Sequence, residues 1–122
     1  MTNKEKALEL IGTFVSGDAA KAKELLAEDY IQHNTAIADG LSGLGAALEA
    51  MAKQGIQMVY NKTHFVLADR DYALAVSEGS FGKVPTSYYD LFRVEKEKIA
   101  ENWDVMETIA DEATWQNKNG KF

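Results

Sequence analysis

The stretch SYYDLFRVEKEKIAENWDVM, residues 87–106, decides the fold. Both of its halves carry the aromatic and β-branched side chains that favour strands, and Lys96-Glu97 lies between them as a turn. The stretch therefore predicts an antiparallel hairpin, in which side chains alternate between two faces. Asn102 and Asp104 then share one face of the second strand, and Trp103 lies on the other.

The register of this hairpin decides whether Asp90 and Asp104 lie on one face. If Lys96-Glu97 is a two-residue turn, Asp90 lies opposite Trp103, and the two aspartates face opposite sides of the sheet. A single bulged residue would reverse this arrangement, because a shift of one residue moves every side chain to the other face. The sequence leaves both registers open.

Two further strands precede the hairpin. Residues 58–68 and 72–78 have strand composition and are joined by the turn Asp69-Arg70-Asp71. A connection at residues 82–86, which contains Pro85, leads into the hairpin. The second half of the chain is thus predicted to be a run of antiparallel strands.

Helices are predicted upstream of these strands. Thr2 and Glu5 form a capping-box pattern before an amphipathic run that ends at Gly17. Asp18 can cap a second helix that extends through Leu26. Residues 28–34 are too short and too mixed for a helix, so the sequence assigns them to no element.

A third helix is predicted to start at Ser42, after the turn at Asp39-Gly40, and to close at Gly55. Three helices followed by strands predict an α+β fold, with the helices packed on one face of a strongly curved mixed or antiparallel sheet. The 122 residues suit a single domain, 1–122. Such a sheet encloses an apolar pocket at its mouth, where small-molecule sites tend to form.

Composition excludes several classes of function. The chain has no cysteine, so disulfides and thiolate chemistry are excluded, and the composition fits a cytoplasmic location. Its net charge is −6 and its basic residues are scattered, which argues against nucleic acid as a partner. We expect no signal peptide, because no long apolar run follows the N-terminus. We expect no membrane span either, because none of the apolar stretches approaches the ~20 residues required.

Several segments resemble the SnoaL-like polyketide cyclase family, part of the nuclear-transport-factor-2-like superfamily of cone-shaped α+β folds. These segments are Tyr30-Ile-Gln-His-Asn34, the Asp39-Gly40…Gly43 turn, Tyr89-Asp-Leu-Phe-Arg-Val94, Lys98-Ile-Ala-Glu-Asn-Trp-Asp104 and the closing Asn119-Gly-Lys-Phe122. Polyketide cyclases of this family close a ring by intramolecular aldol condensation, with an acidic residue as acid/base. The resemblance assigns that role to Asp104 and makes His33 and Asp90 the other catalytic wall groups.

The resemblance implies acid/base chemistry without a metal or cofactor. A carboxylate in an apolar pocket has a raised pKa, which suits proton transfer near neutrality. The expected ligand contacts are Asn102, Tyr30, Phe92 and Tyr60, although aromatic residues at strand spacing more often pack in a core. A metal site is not expected, because the two histidines, His33 and His64, show no ligand spacing.

This chain departs from the family pattern at Asn102, where His-Trp-Asp is the usual triplet. An amide forms hydrogen bonds but accepts no proton. Two hypotheses therefore stand: an acid/base enzyme acting on a small hydrophobic carbonyl compound, and a non-catalytic ligand-binding or dimeric assembly module. The resemblance also implies a homodimer. For His33 and Asp90 a purely structural role, in a loop or an ion pair, is about as well supported as a catalytic one.

Overall fold

The structure is a computed structural model that describes all 122 residues. Its elements in chain order are α1 (Asn3–Ser16), α2 (Ala19–Leu25), β1 (Leu26–Gln32), α3 (Gly40–Lys53), β2 (Met58–Asp69), β3 (Tyr72–Phe81), β4 (Val84–Glu95), β5 (Lys98–Thr108) and a short 3-10 helix (Glu112–Thr114). The five strands form one open sheet in the order β1-β5-β4-β3-β2. Only the β1–β5 pair is parallel, so the sheet is mixed and the predicted α+β fold is confirmed.

The ends of the first two helices follow the sequence signals. Thr2 and Glu5 form the predicted capping box, and Gly17 ends α1 in the left-handed conformation. The Asp18 carboxylate caps α2 by accepting a hydrogen bond from the Lys21 amide. The prediction that α2 includes Leu26 was wrong, because Leu26 begins β1 and pairs with β5.

The predicted start of α3 was also wrong. This helix begins at Gly40 rather than after Ser42, and Asp39 occupies the capping position without a side-chain bond to the helix. The Asp39 carboxylate instead accepts a hydrogen bond of 2.8 Å from the backbone amide of Gln32. A side chain that reaches across to a strand was not visible in local sequence patterns.

Residues 26–32, to which the sequence assigned no strand, form the edge strand β1. Parallel pairing with β5 supplies its backbone hydrogen bonds, and the strand is too short and mixed to show this in isolation. The predicted connection at residues 82–86 is likewise shorter, because Gly82 and Lys83 form a two-residue turn and β4 starts at Val84.

A bulge in β5 settles the hairpin register. Lys96 and Glu97 both have positive φ, and Glu95 pairs with Lys98 as a two-residue turn requires. Val94 pairs with Ile99, but Arg93 pairs with Glu101, so Ala100 is the extra residue. Beyond this bulge Asp90 lies directly opposite Asp104, and both side chains therefore point to the same face.

The core lies between that inner face and the helices. Apolar residues of α1 and α2 pack on side chains of β1 and the sheet centre, with Leu10, Ile11, Tyr30, Phe92 and Ile99 among the buried ones. Helix α3 packs mainly along β1 and buries only Gly43 fully. None of the helices combines the length and apolar composition needed to cross a bilayer.

Candidate active site

Two cavities lie between the helices and the sheet. The larger is an apolar cleft of about 690 Å³ between α1, α2 and α3. The smaller, of about 60 Å³, lies against the inner face of the sheet and contains the carboxylates. We call these the apolar cleft and the inner cavity. They share six lining residues: Phe14, Leu26, Leu44, Leu48, Met51 and Met58. A ligand in the cleft would therefore lie next to the inner cavity.

Six of the seven residues that the sequence nominated line the inner cavity: Tyr30, Tyr60, Asp90, Phe92, Asn102 and Asp104. They come from four different strands, β1, β2, β4 and β5. Residues that lie directly opposite each other on neighbouring strands form two rows across the sheet here. One row pairs Asp90 with Asp104, and the next pairs Phe92 with Asn102 and Asn102 with Gln32.

Asp90 is the most deeply buried acid of the site, with 5% of its surface exposed. Its Oδ2 accepts a hydrogen bond of 3.0 Å from the Tyr60 hydroxyl. Burial raises the pKa of Asp90 to about 7, and the nearby charge of Asp104 raises it further while the Tyr60 bond opposes the shift. A carboxyl group with such a pKa is available as a proton donor near neutral pH.

Gly79 permits a close approach of β3 to β2 beside Tyr60. Tyr60 pairs with Gly79 beside a bulge in β2, and a Cβ atom at Gly79 would collide with the Val59 carbonyl. Tyr60 stacks on Tyr88 with ring centroids 4.2 Å apart. Burial and the Asp90 charge raise the pKa of the Tyr60 hydroxyl, so it stays protonated and acts as a donor.

Asp104 is held from the other side by β1 and the residues that follow it. Asn34 Nδ2 donates to Asp104 Oδ2 at 3.2 Å, and Asn34 Oδ1 accepts from the Ala36 amide, which fixes the orientation of the side chain. Gln32 donates to the Tyr30 hydroxyl and accepts from the Asn34 backbone amide. Sequence reasoning missed both Gln32 and Asn34. Alternation from Tyr30 along a strand would have placed them on the inner face.

The same alternation places His33 elsewhere. His33 lies on the outer face of the sheet, stacked on Trp103 at 4.6 Å, with Nε2 at 2.6 Å from Glu101 Oε2. Glu101 also accepts from Arg93 Nε at 2.7 Å, and these hydrogen bonds lower the pKa of its carboxyl group. The expected position of His33 in the pocket wall was therefore wrong. It belongs to an ion-pair cluster across the sheet from the carboxylates.

No three acidic or histidine side chains converge as they would around a metal ion. The polar groups of the inner cavity are two carboxyls, two hydroxyls and two amides, from Asp90, Asp104, Tyr30, Tyr60, Gln32 and Asn102. These groups can donate, accept and transfer protons. The arrangement therefore suits acid/base chemistry on a ligand that enters from the apolar cleft.

Replacing Tyr60 with Phe should destabilise the protein more at pH 9 than at pH 5. The variant loses only the hydroxyl that donates to Asp90, and this bond is stronger when Asp90 is ionised, above about pH 7. We expect a loss of about 1–3 kcal/mol at the higher pH, measured by urea unfolding. Tyr72→Phe, at an exposed position, is the control. Equal losses at both pH values would contradict the assigned bond.

Fold and site together define an α+β domain with a polar, two-carboxylate cavity next to an apolar cleft. The fold is shared with a solved nuclear-transport-factor-2-like protein. The family model for the SnoaL-like domain matches residues 7–102, so the chain belongs to the SnoaL-like domain family. No curated protein matches it significantly.

Solved structures share the fold. A protein of unknown function with a cystatin-like fold from Xanthomonas campestris is 23% identical, with a TM-score of 0.74 over 93% of this chain and 94% of that one. A proposed polyketide cyclase from Sinorhizobium meliloti is 17% identical, with a TM-score of 0.71 over 83% and 94%. A proposed ketosteroid isomerase from Kribbella flavida is 13% identical, with a TM-score of 0.73 over 97% and 90%. At these identities the likeness concerns the fold alone.

Proposed function

We propose that this protein binds a small hydrophobic carbonyl compound in the apolar cleft and moves a proton on it by acid/base catalysis. One observation carries the proposal: Asp90 and Asp104 lie directly opposite each other at the inner end of an apolar cleft. Cyclisation, isomerisation and dehydration of such a compound all begin with removal of a proton next to its carbonyl group. The cyclase and isomerase proposals among the solved relatives fit the same chemistry.

The size and lining of the cleft support this ligand class. Its volume of about 690 Å³ lies within the range of small-molecule sites, and apolar side chains line most of it. The inner cavity, at about 60 Å³, has room for a polar group but not for the ligand body. A ligand would thus place its rings or chain in the cleft and its carbonyl end towards the carboxylates.

The two carboxyl groups suit different roles. In the proposed step the Asp104 carboxylate takes the proton from the carbon next to the carbonyl, and the C–H electron pair becomes the C=C bond of an enolate. The Asp90 carboxyl group, protonated up to about pH 7, donates a hydrogen bond to the developing oxyanion through the oxygen that Tyr60 leaves free. Return of the proton to a different atom would complete an isomerisation.

The test is deuterium exchange at the α-carbon of simple cyclic ketones such as 1-tetralone, followed by NMR in D₂O. Exchange requires removal and return of one proton, so it detects this chemistry before the natural substrate is identified. We expect the wild-type protein to accelerate exchange over buffer. No acceleration with any ketone that binds would favour the second hypothesis, a non-catalytic ligand-binding or assembly module, for which Asn102 in place of the family histidine is the specific support.

We also propose that the protein forms a homodimer through the outer face of its sheet. Two cross-strand rows there are apolar, and they run Phe65-Val76-Tyr89-Val105 and Leu67-Leu74-Leu91-Trp103. Leu67 and Val105 are 57% and 63% exposed in the single chain. Phe65 and Tyr89 are exposed as well, whereas Val76 is buried within the single chain. Exposed apolar side chains grouped in this way are typical of a protein–protein interface.

The double variant Leu67→Lys/Val105→Lys should be monomeric at concentrations where the wild type is dimeric. Four lysines buried in a twofold interface would each pay a desolvation cost without a partner. Light scattering after size exclusion gives the mass directly. Val15→Lys, at a 62% exposed position on α1, is the matched control and should remain dimeric. A wild type that is monomeric, or a double variant that is still dimeric, would contradict the proposed interface.

A further inference from the structure

Asn102 occupies the centre of the polar floor of the inner cavity. It lies between Phe92 on β4 and Gln32 on β1, in the row next to the one formed by Asp90 and Asp104. Along β5 it is two residues from Asp104, so the two Cα atoms are roughly 7 Å apart. Asn102 and Asp104 thus line the same inner cavity as neighbours along one strand.

The Asn102 Oδ1 atom is buried and has no hydrogen-bond partner. Its neighbours in the same cavity differ in this respect. Both ends of the Gln32 amide are bonded, one to the Tyr30 hydroxyl and one to the Asn34 backbone. Asp90 accepts from Tyr60, and Asp104 accepts from Asn34. A buried acceptor without a donor is costly, and in native proteins such groups are few and call for an explanation.

Tyr30 supplies a complementary group beside it. Its hydroxyl accepts from Gln32 Nε2 at 3.0 Å, but its own proton has no acceptor among the side-chain hydrogen bonds. The residue is 1% exposed, so this proton faces the interior and not bulk water. Gln32 pairs with Asn102 across the strands and bonds to Tyr30, so the free acceptor and the free donor lie on either side of Gln32, and both residues line the inner cavity.

We propose that Asn102 and Tyr30 select a ligand that carries a hydroxyl group in addition to its reactive carbonyl. A hydroxyl can donate to Asn102 Oδ1 while accepting from the Tyr30 hydroxyl, so one ligand atom satisfies both groups. This assignment deepens and rests on the proposed function of the same cavity. It names the substrate class as hydroxylated hydrophobic ketones, with the hydroxyl a few bonds from the reacting carbon.

The first test concerns the protein without ligand and compares two amides. Asn102→Leu keeps the side-chain shape and removes the unpartnered acceptor, so the melting temperature should rise by about 3 °C. Gln32→Met removes an amide that is bonded at both ends, so the melting temperature should fall by a similar amount. A melting temperature of Asn102→Leu equal to or below that of the wild type would overturn the inference, because Oδ1 would then be satisfied already.

The second test uses 1-tetralone and its hydroxylated positional isomers as probes in calorimetric titrations. We expect at least one hydroxy isomer to bind the wild type about ten-fold more tightly than 1-tetralone itself, the difference expected of one hydrogen bond to a buried group. In Asn102→Leu this preference for the hydroxy isomer over 1-tetralone should disappear. Asn61→Leu, at an exposed position on β2, should keep the wild-type preference.

Two outcomes separate this inference from the proposed function. If 1-tetralone binds but no hydroxy isomer is preferred, or if Asn102→Leu keeps the preference, the hydroxyl assignment is wrong and the proposed function stands. If neither 1-tetralone nor any isomer binds, both are contradicted.

Discussion

Asp104→Asn should lower the rate of α-proton exchange by at least about 100-fold while leaving the fold intact. General acid–base catalysis by a positioned group contributes about 10²–10⁴ in rate, and an amide in the same place accepts no proton. The side chain keeps its shape and lies next to Asn34, whose Nδ2 can donate to the remaining carbonyl oxygen. Exchange of 1-tetralone measured by NMR, with circular dichroism as the folding check, gives the comparison.

Glu107→Gln is the matched control for this experiment. Glu107 lies near the end of the same strand and is exposed. Its carboxylate forms an ion pair with Lys121 Nζ at a distance of 2.5 Å, and Glu107 does not line the cavity. Its neutralisation should leave the exchange rate unchanged. Normal exchange by Asp104→Asn would remove Asp104 from the proposed mechanism. An equal loss in Glu107→Gln would show that the exchange rate reports net charge and not the site.

Asp90→Asn should produce the largest change in stability, and the change should depend on pH. In the folded protein the pKa of Asp90 is raised from 3.8 to about 7, so between these values the folded state keeps a proton that the unfolded state loses. Stability of the wild type therefore falls as the pH rises from about 4 to about 7 and is level above that. The total loss from this group is about 4 kcal/mol, since each pKa unit corresponds to 1.36 kcal/mol.

Asn at position 90 carries no charge at any of these pH values, and its carbonyl oxygen can still accept the Tyr60 bond. The free energies of unfolding of Asp90→Asn and wild type should be similar near pH 4 and should differ by about 4 kcal/mol at pH 8, with the variant more stable. Asp29→Asn, at an exposed position on β1, controls for the change in net charge. Parallel profiles for Asp90→Asn and wild type would contradict the raised pKa of Asp90.

A gain in stability on removing Asp90 would itself inform the function. Binding residues and catalytic acids commonly cost stability, because they hold polar groups in surroundings that favour apolar ones. We expect Asp90→Asn to be more stable than the wild type at pH 8 and slower in exchange at pH 6, where the wild-type carboxyl group is protonated and is a stronger donor to the developing oxyanion than an amide. Only the combination of the two results assigns the carboxyl group to catalysis.

Local signals in the sequence determined the elements that depend on near neighbours. The capping box at Thr2, the left-handed Gly17 and the cap at Asp18 each involve residues within a few positions, so their patterns are readable directly. The β-branched and aromatic residues from Met58 onward indicated strands equally directly. These elements, in their order along the chain, define the α+β class.

Contacts between distant segments decided the rest. β1 is a strand because it pairs with β5, and its pairing turns Gln32 and Asn34 inward and His33 outward. The bulge at Ala100 brings Asp90 opposite Asp104, although the turn at Lys96-Glu97 by itself leaves them on opposite faces. Side chains alternate with a period of two residues, so one extra or unpaired residue changes which groups share a face. The sequence alone determined the α+β class and nominated the carboxylates, and only tertiary pairing decided which polar groups face the cavity.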